Sequence, residues 1–169
     1  MSLFYDDLRI GDVSALGAHT FTREGIIAFA TLYDPQPFHL SEEGGKASIY
    51  GSLIASGWHT ASVCMRLLID WRDRSRATHA ALGAPLPRLG VSPGFRDMRW
   101  PAPVRPGDTV AYSSRVETRR ETRRPQWGLV TSRHTGLNQH GAEVFAYTSI
   151  VLWERRAGSD GMASKRGSP

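Results

Sequence analysis

The chain has 169 residues, of which 40% are hydrophobic and 22% charged, so it is long enough for one domain with its own hydrophobic core. It contains no uninterrupted apolar run of about 18 residues, so we expect no membrane-spanning helix. Its first residues lack the basic and apolar regions of a signal peptide, so we expect no signal peptide. The single cysteine, Cys64, excludes an internal disulfide and favours a cytoplasmic protein. Because apolar residues surround Cys64, we expect a small buried side chain rather than a nucleophile.

The net charge of +5 and the pI near 9.9 raise the question of an anionic partner. The arginines are spread along the chain, however, and no zinc-finger spacing, RNP-like strand or P-loop accompanies them. The densest cluster, "RVETRRETRR" from Arg115 to Arg124, is interrupted by glutamates and lies where two strands should turn. We interpret it as a solvated hairpin, with a small phosphate-bearing ligand as the alternative and nucleic acid as the least favoured partner.

The first third of the chain predicts a strand, a helix and a proline-framed loop. "LRIGDVSALGAHTFT" is typical of an extended segment, and Thr22 suits the N-cap of a helix over "REGIIAFATLY". Asp34 precedes a proline, which ends that helix, and the next X-Pro pair should keep the chain extended through Phe38. The segment "DPQPFH" therefore carries a carboxylate and an imidazole in a restricted loop.

A long helix is the strongest structural signal, and we predict it from Ser52 to about Trp71. Its apolar stripe has the period of an amphipathic helix. The stripe consists of Leu53, Ile54, Trp58, Ala61, Met65, Leu68 and Ile69. Small residues at its start would let another group approach the backbone closely.

Residues 72–93 are polar and then rich in Gly and Pro, which predicts a connecting loop or flap. Beyond them the hydrophobic period changes to two, and "NQHG" is a good turn between the last two strands. The last strand is apolar on both faces, as in a strand buried on both sides. The sequence thus predicts an α+β domain, an antiparallel sheet wrapped around one long central helix, over residues 1–157, with a disordered tail at 158–169.

Three segments resemble the MaoC-like dehydratases, a family that includes the (R)-specific enoyl-CoA hydratases. These are "YDPQPFH", "GSLIASGWHT" and "MRWPAPVRPGDTV", and the resemblance extends from about Leu8 to Trp153. It implies a single hotdog domain. Family members pair as dimers, so the resemblance also implies a homodimer or a higher homo-oligomer.

The resemblance assigns roles to individual residues. Asp34 and His39 match the acid and base of the family's D-x-N-P-x-H motif, with Gln36 in place of its asparagine. Gly57 matches the glycine whose backbone N–H binds the thioester carbonyl, and Ser56 and His59 flank it as candidate substrate contacts.

Structural roles are the alternatives for these residues. Asp34 could cap a turn, His39 could be a loop histidine, and His59 could lie on the solvent face or at a subunit contact. The remaining histidines lack metal-ligand spacing, and we interpret them as surface or hairpin residues. They are His19, His79, His134 and His140.

The implied activity is addition or removal of water across the 2,3 double bond of an enoyl thioester by acid-base catalysis. The resemblance implies no metal or redox cofactor, and CoA counts as part of the substrate. We expect no nucleic-acid or membrane partner. The resemblance suggests that arginines of the second half bind the CoA phosphates. A hotdog thioesterase and a non-catalytic acyl-thioester-binding module are the alternatives.

Overall fold

A computed structural model describes residues 4–156, so the predicted tail at 158–169 lies outside the described residues. After a short 3-10 turn at Tyr5–Asp7, the chain forms four helices and five strands. The helices are α1 (Arg23–Tyr33), α2 (Pro37–Leu40), α3 (Glu42–Lys46) and α4 (Gly57–Ala81). The strands are β1 (Val13–Thr20), β2 (Gly94–Arg99), β3 (Thr109–Glu121), β4 (Trp127–Leu137) and β5 (Glu143–Glu154).

The strands form one antiparallel sheet in the order β1-β3-β4-β5-β2. The arginine-rich cluster lies in the hairpin between β3 and β4, as predicted. "NQHG" closes the β4–β5 hairpin through a bond from the Asn138 N–H to the Ala142 carbonyl (2.9 Å). β5 lies inside the sheet, and its residues Val144 to Thr148 are buried, which confirms the prediction of an enclosed strand.

Helix α4 covers one face of the sheet and supplies the centre of the core. Its 25 residues span about 37 Å at 1.5 Å per residue. Cys64 is fully buried among residues of the sheet that include Val110, Tyr112 and Phe145. This is the predicted α+β arrangement of one sheet and one long helix. Among residues 4–156, no helix is long and apolar enough to cross a membrane.

The boundaries of α4 differ from the predicted ones at both ends. Residues 52–56 are not helical, because Ser56 is the N-cap and accepts a hydrogen bond from the Trp58 N–H (3.1 Å). At the other end, residues 72–81 continue the helix instead of starting the loop. They are mostly arginines and alanines, which favour helix without forming an apolar stripe, and Gly83, at φ 68°, follows the C-cap.

The prediction of an extended chain through Phe38 was also wrong. Residues Pro37–Leu40 form the short helix α2, with Gln36 as an extended N-cap. Proline is favoured at the first position of a helix, since the N–H it lacks would have no partner there.

The environment of Cys64 predicts an unreactive thiol. Burial raises its pKa to about 12, so almost no thiolate forms at neutral pH. We expect a chromogenic disulfide reagent to leave the native protein unmodified and to react with one thiol per chain in guanidinium. Rapid modification of the native protein would contradict the buried position.

Candidate active site

The end of α1 and the start of α2 bring an acid and an imidazole together. Asp34 is the C-cap of α1, and its N–H bonds the Ala30 carbonyl (2.9 Å). Pro35 prevents the helix from continuing, and α2 then places His39 one turn later with 5% of its surface exposed. His39 Nε2 lies 3.4 Å from Asp34 Oδ2. The two predicted acid-base residues are therefore neighbours in space.

Both oxygens of Asp34 accept hydrogen bonds. The Ser56 hydroxyl donates to Oδ2 (2.6 Å), and Gln36 Nε2 donates to Oδ1 (2.8 Å). Partial burial alone would raise the pKa of Asp34. The two hydrogen bonds and the charge of His39 lower it by more than burial raises it, so the pKa of Asp34 lies below its ordinary value. The carboxylate is therefore ionised at neutral pH.

In the neutral form of His39, which is the form that can accept a proton, the hydrogen bond on the other side of the ring fixes the tautomer. Nδ1 lies 2.8 Å from the Ile54 carbonyl oxygen, which can only accept, so Nδ1 carries the proton. Nε2 is then a proton acceptor directed toward Asp34. Two acceptors 3.4 Å apart do not bond to each other, but both can accept a hydrogen bond from one shared water.

Gly57 is the first residue of α4 and lies close to Trp100. A Cβ on Gly57 would lie 2.7 Å from the Trp100 ring, which leaves no room for a larger residue. Trp100 Nε1 donates to the Gly57 carbonyl (2.8 Å). Within residues 4–156 the Gly57 N–H donates no hydrogen bond, as expected of the first turn of a helix.

Asp34, His39 and Gly57 line one cavity of about 340 Å³. Aromatic and proline residues form much of the rest of its wall. They include Phe38, Tyr50, Trp58, Trp100, Pro101 and Pro103. We call this the catalytic cavity. It offers a carboxylate, an imidazole and an unpartnered N–H on a mostly apolar wall, which suits a substrate with one polar reacting group.

The two candidate substrate contacts beside Gly57, Ser56 and His59, do not line the catalytic cavity. Ser56 is 1% exposed and uses its hydroxyl on Asp34 and on the helix start, so it positions the carboxylate. His59 does not line the catalytic cavity, because its ring stacks on Phe29 at 4.5 Å and meets the edge of Phe21. Burial, together with the charge of His19, lowers the pKa of His59 to about 4, so the ring is neutral at pH 7.

Sequence reasoning missed three contributors to the site. Gln36 holds the second carboxylate oxygen, and Trp100 and Thr60 line the cavity next to Gly57. The segment "MRWPAPVRPGDTV" carried part of the family resemblance, but nothing in it indicated that Trp100 lies against Gly57. His134 was also predicted to be a surface or hairpin residue, but it is 2% exposed in β4, where it faces the sheet's inner side. Within residues 4–156 no three His, Cys, Asp or Glu side chains cluster in a way that could hold a metal ion.

Comparison with known proteins places this geometry in a family. Residues 11–138 match the model of the MaoC like domain. A crystal structure of the MaoC-like dehydratase from Rhodospirillum rubrum is 37% identical, covers 92% of this chain and 99% of its own, and superposes with a TM-score of 0.76. The (R)-hydratase from A. caviae shares the fold at 22% identity and a TM-score of 0.61, with 86% of this chain and 96% of its own covered.

One curated relative is a mesaconyl-CoA hydratase from Cereibacter sphaeroides, 33% identical over 88 residues. Those residues are 50% of this chain but 26% of that protein, so the chain spans only about a quarter of the relative. The predicted hotdog fold is confirmed by the solved structures, and the matched residues include the whole "DPQPFH" segment. The chain therefore belongs to the MaoC-like domain family of hydratases and dehydratases.

Proposed function

We propose that the protein adds water to, or removes it from, the 2,3 double bond of an enoyl thioester, with Asp34 and His39 as the acid-base pair. The observation that carries the proposal is the 3.4 Å separation of Asp34 Oδ2 and His39 Nε2 in a cavity that Gly57 also lines. Membership of the MaoC-like family supports hydratase or dehydratase chemistry. The thioester substrate and the residue roles are our proposal.

In this mechanism one water lies between Asp34 and His39 and donates a hydrogen bond to each of them. Its oxygen attacks C3 of the substrate while Asp34 accepts one of its protons, which forms the C–O bond. A proton then passes from the pair to C2, so that one water is added and both residues return to their starting state. Dehydration follows the same steps in reverse.

Attack at C3 moves negative charge onto the thioester oxygen. The Gly57 N–H has no partner in the described chain and lies at the N-terminus of a 25-residue helix, where the backbone potential is positive. A thioester oxygen bonded there would be stabilised as the charge develops. Trp100 Nε1 donates to the Gly57 carbonyl, which belongs to the next peptide unit, and so restrains the backbone of the residue that carries this N–H.

Arg105 is our candidate for a contact with the CoA phosphates. It is exposed and lies beside the mouth of the catalytic cavity, where its guanidinium donates to Ser52 Oγ (3.1 Å) and to the carbonyl of Tyr50 (3.2 Å). Within residues 4–156 no carboxylate pairs with that guanidinium, so its charge is free to meet a phosphate. We also propose that the protein forms a homodimer and is located in the cytoplasm.

The first prediction concerns the catalytic pair. Asp34→Asn and His39→Ala should each lower the hydration rate of a short trans-2-enoyl-CoA at least about 100-fold, because each removes a proton acceptor. The loss of enoyl-thioester absorbance measures the rate, and circular dichroism checks the fold. Asp73→Asn and His140→Ala, which change an exposed acid and an exposed histidine outside the cavity, should retain full activity.

A parallel free-thiol assay separates the alternatives. Substrate loss without thiol supports hydration, whereas thiol release in step with substrate loss would replace it by thioesterase activity. Binding of several enoyl-CoAs without turnover of any of them would instead support a non-catalytic acyl-thioester-binding module. Full activity in Asp34→Asn would exclude the proposed mechanism.

A second prediction concerns Ser56 as a positioning residue. Ser56→Ala removes the 2.6 Å hydrogen bond that lowers the pKa of Asp34, so that pKa should rise. Because Asp34 must be ionised to accept a proton, the acidic limb of the pH–rate profile should move to higher pH, while Ser56→Thr should restore it. Thr22→Ala removes the N-cap of α1 and is the matched control. Like Ser56→Ala, it should lower the free energy of unfolding by about 1 kcal/mol, but it should not move the acidic limb of the pH–rate profile. An unshifted limb in Ser56→Ala would limit Ser56 to helix capping.

A third prediction tests Arg105. Arg105→Ala should reduce kcat/KM for crotonyl-CoA about two- to fivefold, the range of an exposed ion pair, and leave kcat/KM for the crotonyl thioester of N-acetylcysteamine unchanged. The second substrate lacks the phosphates. Arg120→Ala, an exposed arginine on β3, is the matched control. Equal losses with both thioesters would show that Arg105 acts on the fold of the cavity mouth.

A further inference from the structure

The charge of the catalytic cavity bears on which acyl groups can enter it. Among the described residues that line it, Asp34 is the only acidic one, and none is a lysine or an arginine. Arg105 lies outside this lining, and its guanidinium is bound to Ser52 Oγ and to the Tyr50 carbonyl. The fixed charge on the wall is therefore negative, and it belongs to the candidate catalytic carboxylate.

The imidazole of His39 is the other group on this wall that can carry a charge. When it is protonated, its Nε2 lies 3.4 Å from Asp34 Oδ2, and its Nδ1 is bound to the Ile54 carbonyl (2.8 Å). The positive charge is then matched by Asp34, so the pair is neutral. When the imidazole is neutral, the pair is negative. In neither state does the pair have a positive charge left for a second anion.

The floor of the cavity is apolar and largely shielded from water. Ile54, Ala55 and Val104 line it, and each is at most 5% exposed. The Ile54 N–H donates to the Phe38 carbonyl (3.1 Å), and the Ala55 N–H donates to the Val104 carbonyl (2.8 Å). These two backbone donors are thus already used within the protein.

Thr60 is the polar residue on the same floor, and its hydroxyl is occupied on both sides. It donates to the Gly57 carbonyl (2.7 Å) and accepts from Trp100 Nε1 (3.1 Å). Its proton is therefore not available to a ligand. By contrast, Trp58 and Trp100 are 55% and 40% exposed, so their rings mark the mouth of the cavity and not its floor.

We propose that the cavity accepts enoyl thioesters whose acyl group is an uncharged hydrocarbon and excludes those that end in a carboxylate, with Asp34 as the residue that repels them. This inference rests on the proposed hydratase function, because it concerns the acyl end of that thioester. A hydrocarbon end leaves water and packs on the apolar floor. A carboxylate in its place would lose its hydration without gaining a donor, and it would lie near a second negative charge.

Pentanoyl-CoA and glutaryl-CoA test the proposal, because their acyl groups have five carbons each and differ at the last one, which is a methyl group or a carboxylate. Both are saturated, so their binding is measured without hydration. Calorimetric titration of the full chain at neutral pH should give an affinity at least about tenfold higher for pentanoyl-CoA. The methyl ester of glutaryl-CoA, which lacks the charge, should bind more tightly than glutaryl-CoA.

A variant of Asp34 tests the source of the selectivity. Asp34→Asn removes the negative charge at nearly constant size, so it should raise the affinity for glutaryl-CoA at least about threefold and leave that for pentanoyl-CoA unchanged. Asp73→Asn, which changes an exposed acid outside the cavity, is the matched control and should alter neither affinity. Melting temperatures check that both variants are folded.

Three results would overturn the proposal. Equal affinity for pentanoyl-CoA and glutaryl-CoA would show that the cavity accepts a carboxylate. An affinity ratio that Asp34→Asn leaves unchanged would show that this residue does not repel the anion. Absence of binding by all three thioesters would remove the acyl site itself. Hydration of crotonyl-CoA by the same preparation is measured separately, so failure of the selectivity is distinguished from failure of the hydratase function.

Discussion

One hydroxyl group, that of Ser56, joins the helix start to the candidate catalytic carboxylate. It accepts the Trp58 N–H as the N-cap of α4 and donates to Asp34 Oδ2. The direction of the long helix and the position of the carboxylate are therefore set by the same atom. His39 is bound two residues earlier, through the Ile54 carbonyl, so the stretch before α4 holds both members of the pair.

That stretch is itself fixed by backbone hydrogen bonds on two sides. The Ile54 N–H donates to the Phe38 carbonyl in α2 (3.1 Å), and the Ala55 N–H donates to the Val104 carbonyl (2.8 Å). The chain on one side carries His39, and the chain on the other follows the Trp100 wall of the cavity. Acid-base pair, helix N-terminus and aromatic wall are thus tied to one short extended segment, which is what preorganised catalysis requires.

The sequence predicted the elements of this fold more successfully than their ends. The period-two strands, the Thr22 cap and the long helix were found because hydrophobic periodicity and capping chemistry are local signals. The end of α4 was missed because residues 72–81 carry no apolar stripe, so their helicity rests on propensity and on the stop at Gly83. The start of α4 was predicted too early because Leu53 and Ile54 are apolar and buried although they lie in an extended segment before the helix.

The site shows the same division between local and long-range information. "DPQPFH" indicates that an acid and an imidazole lie close together, because two prolines restrict the five-residue separation. The bond from Ser56 to Asp34 spans 22 residues, and the one from Trp100 to Gly57 spans 43, so no local pattern predicts either of them. Resemblance supplied Gly57 but could not show that Ser56 supports the carboxylate.

Three histidines illustrate why geometry, and not residue type, assigns the chemistry. His59 and His134 are kept neutral by burial, and their rings stack on Phe29 and Tyr147. His39 is 5% exposed, but its Nδ1 is bound to a carbonyl, and its Nε2 lies beside a carboxylate in the catalytic cavity. A proton shuttle needs one ring nitrogen fixed and the other open to a reacting proton with an acid within reach. Among the histidines of residues 4–156, His39 alone meets all three conditions, and it does so because Pro37 starts a helix where the sequence suggested a loop.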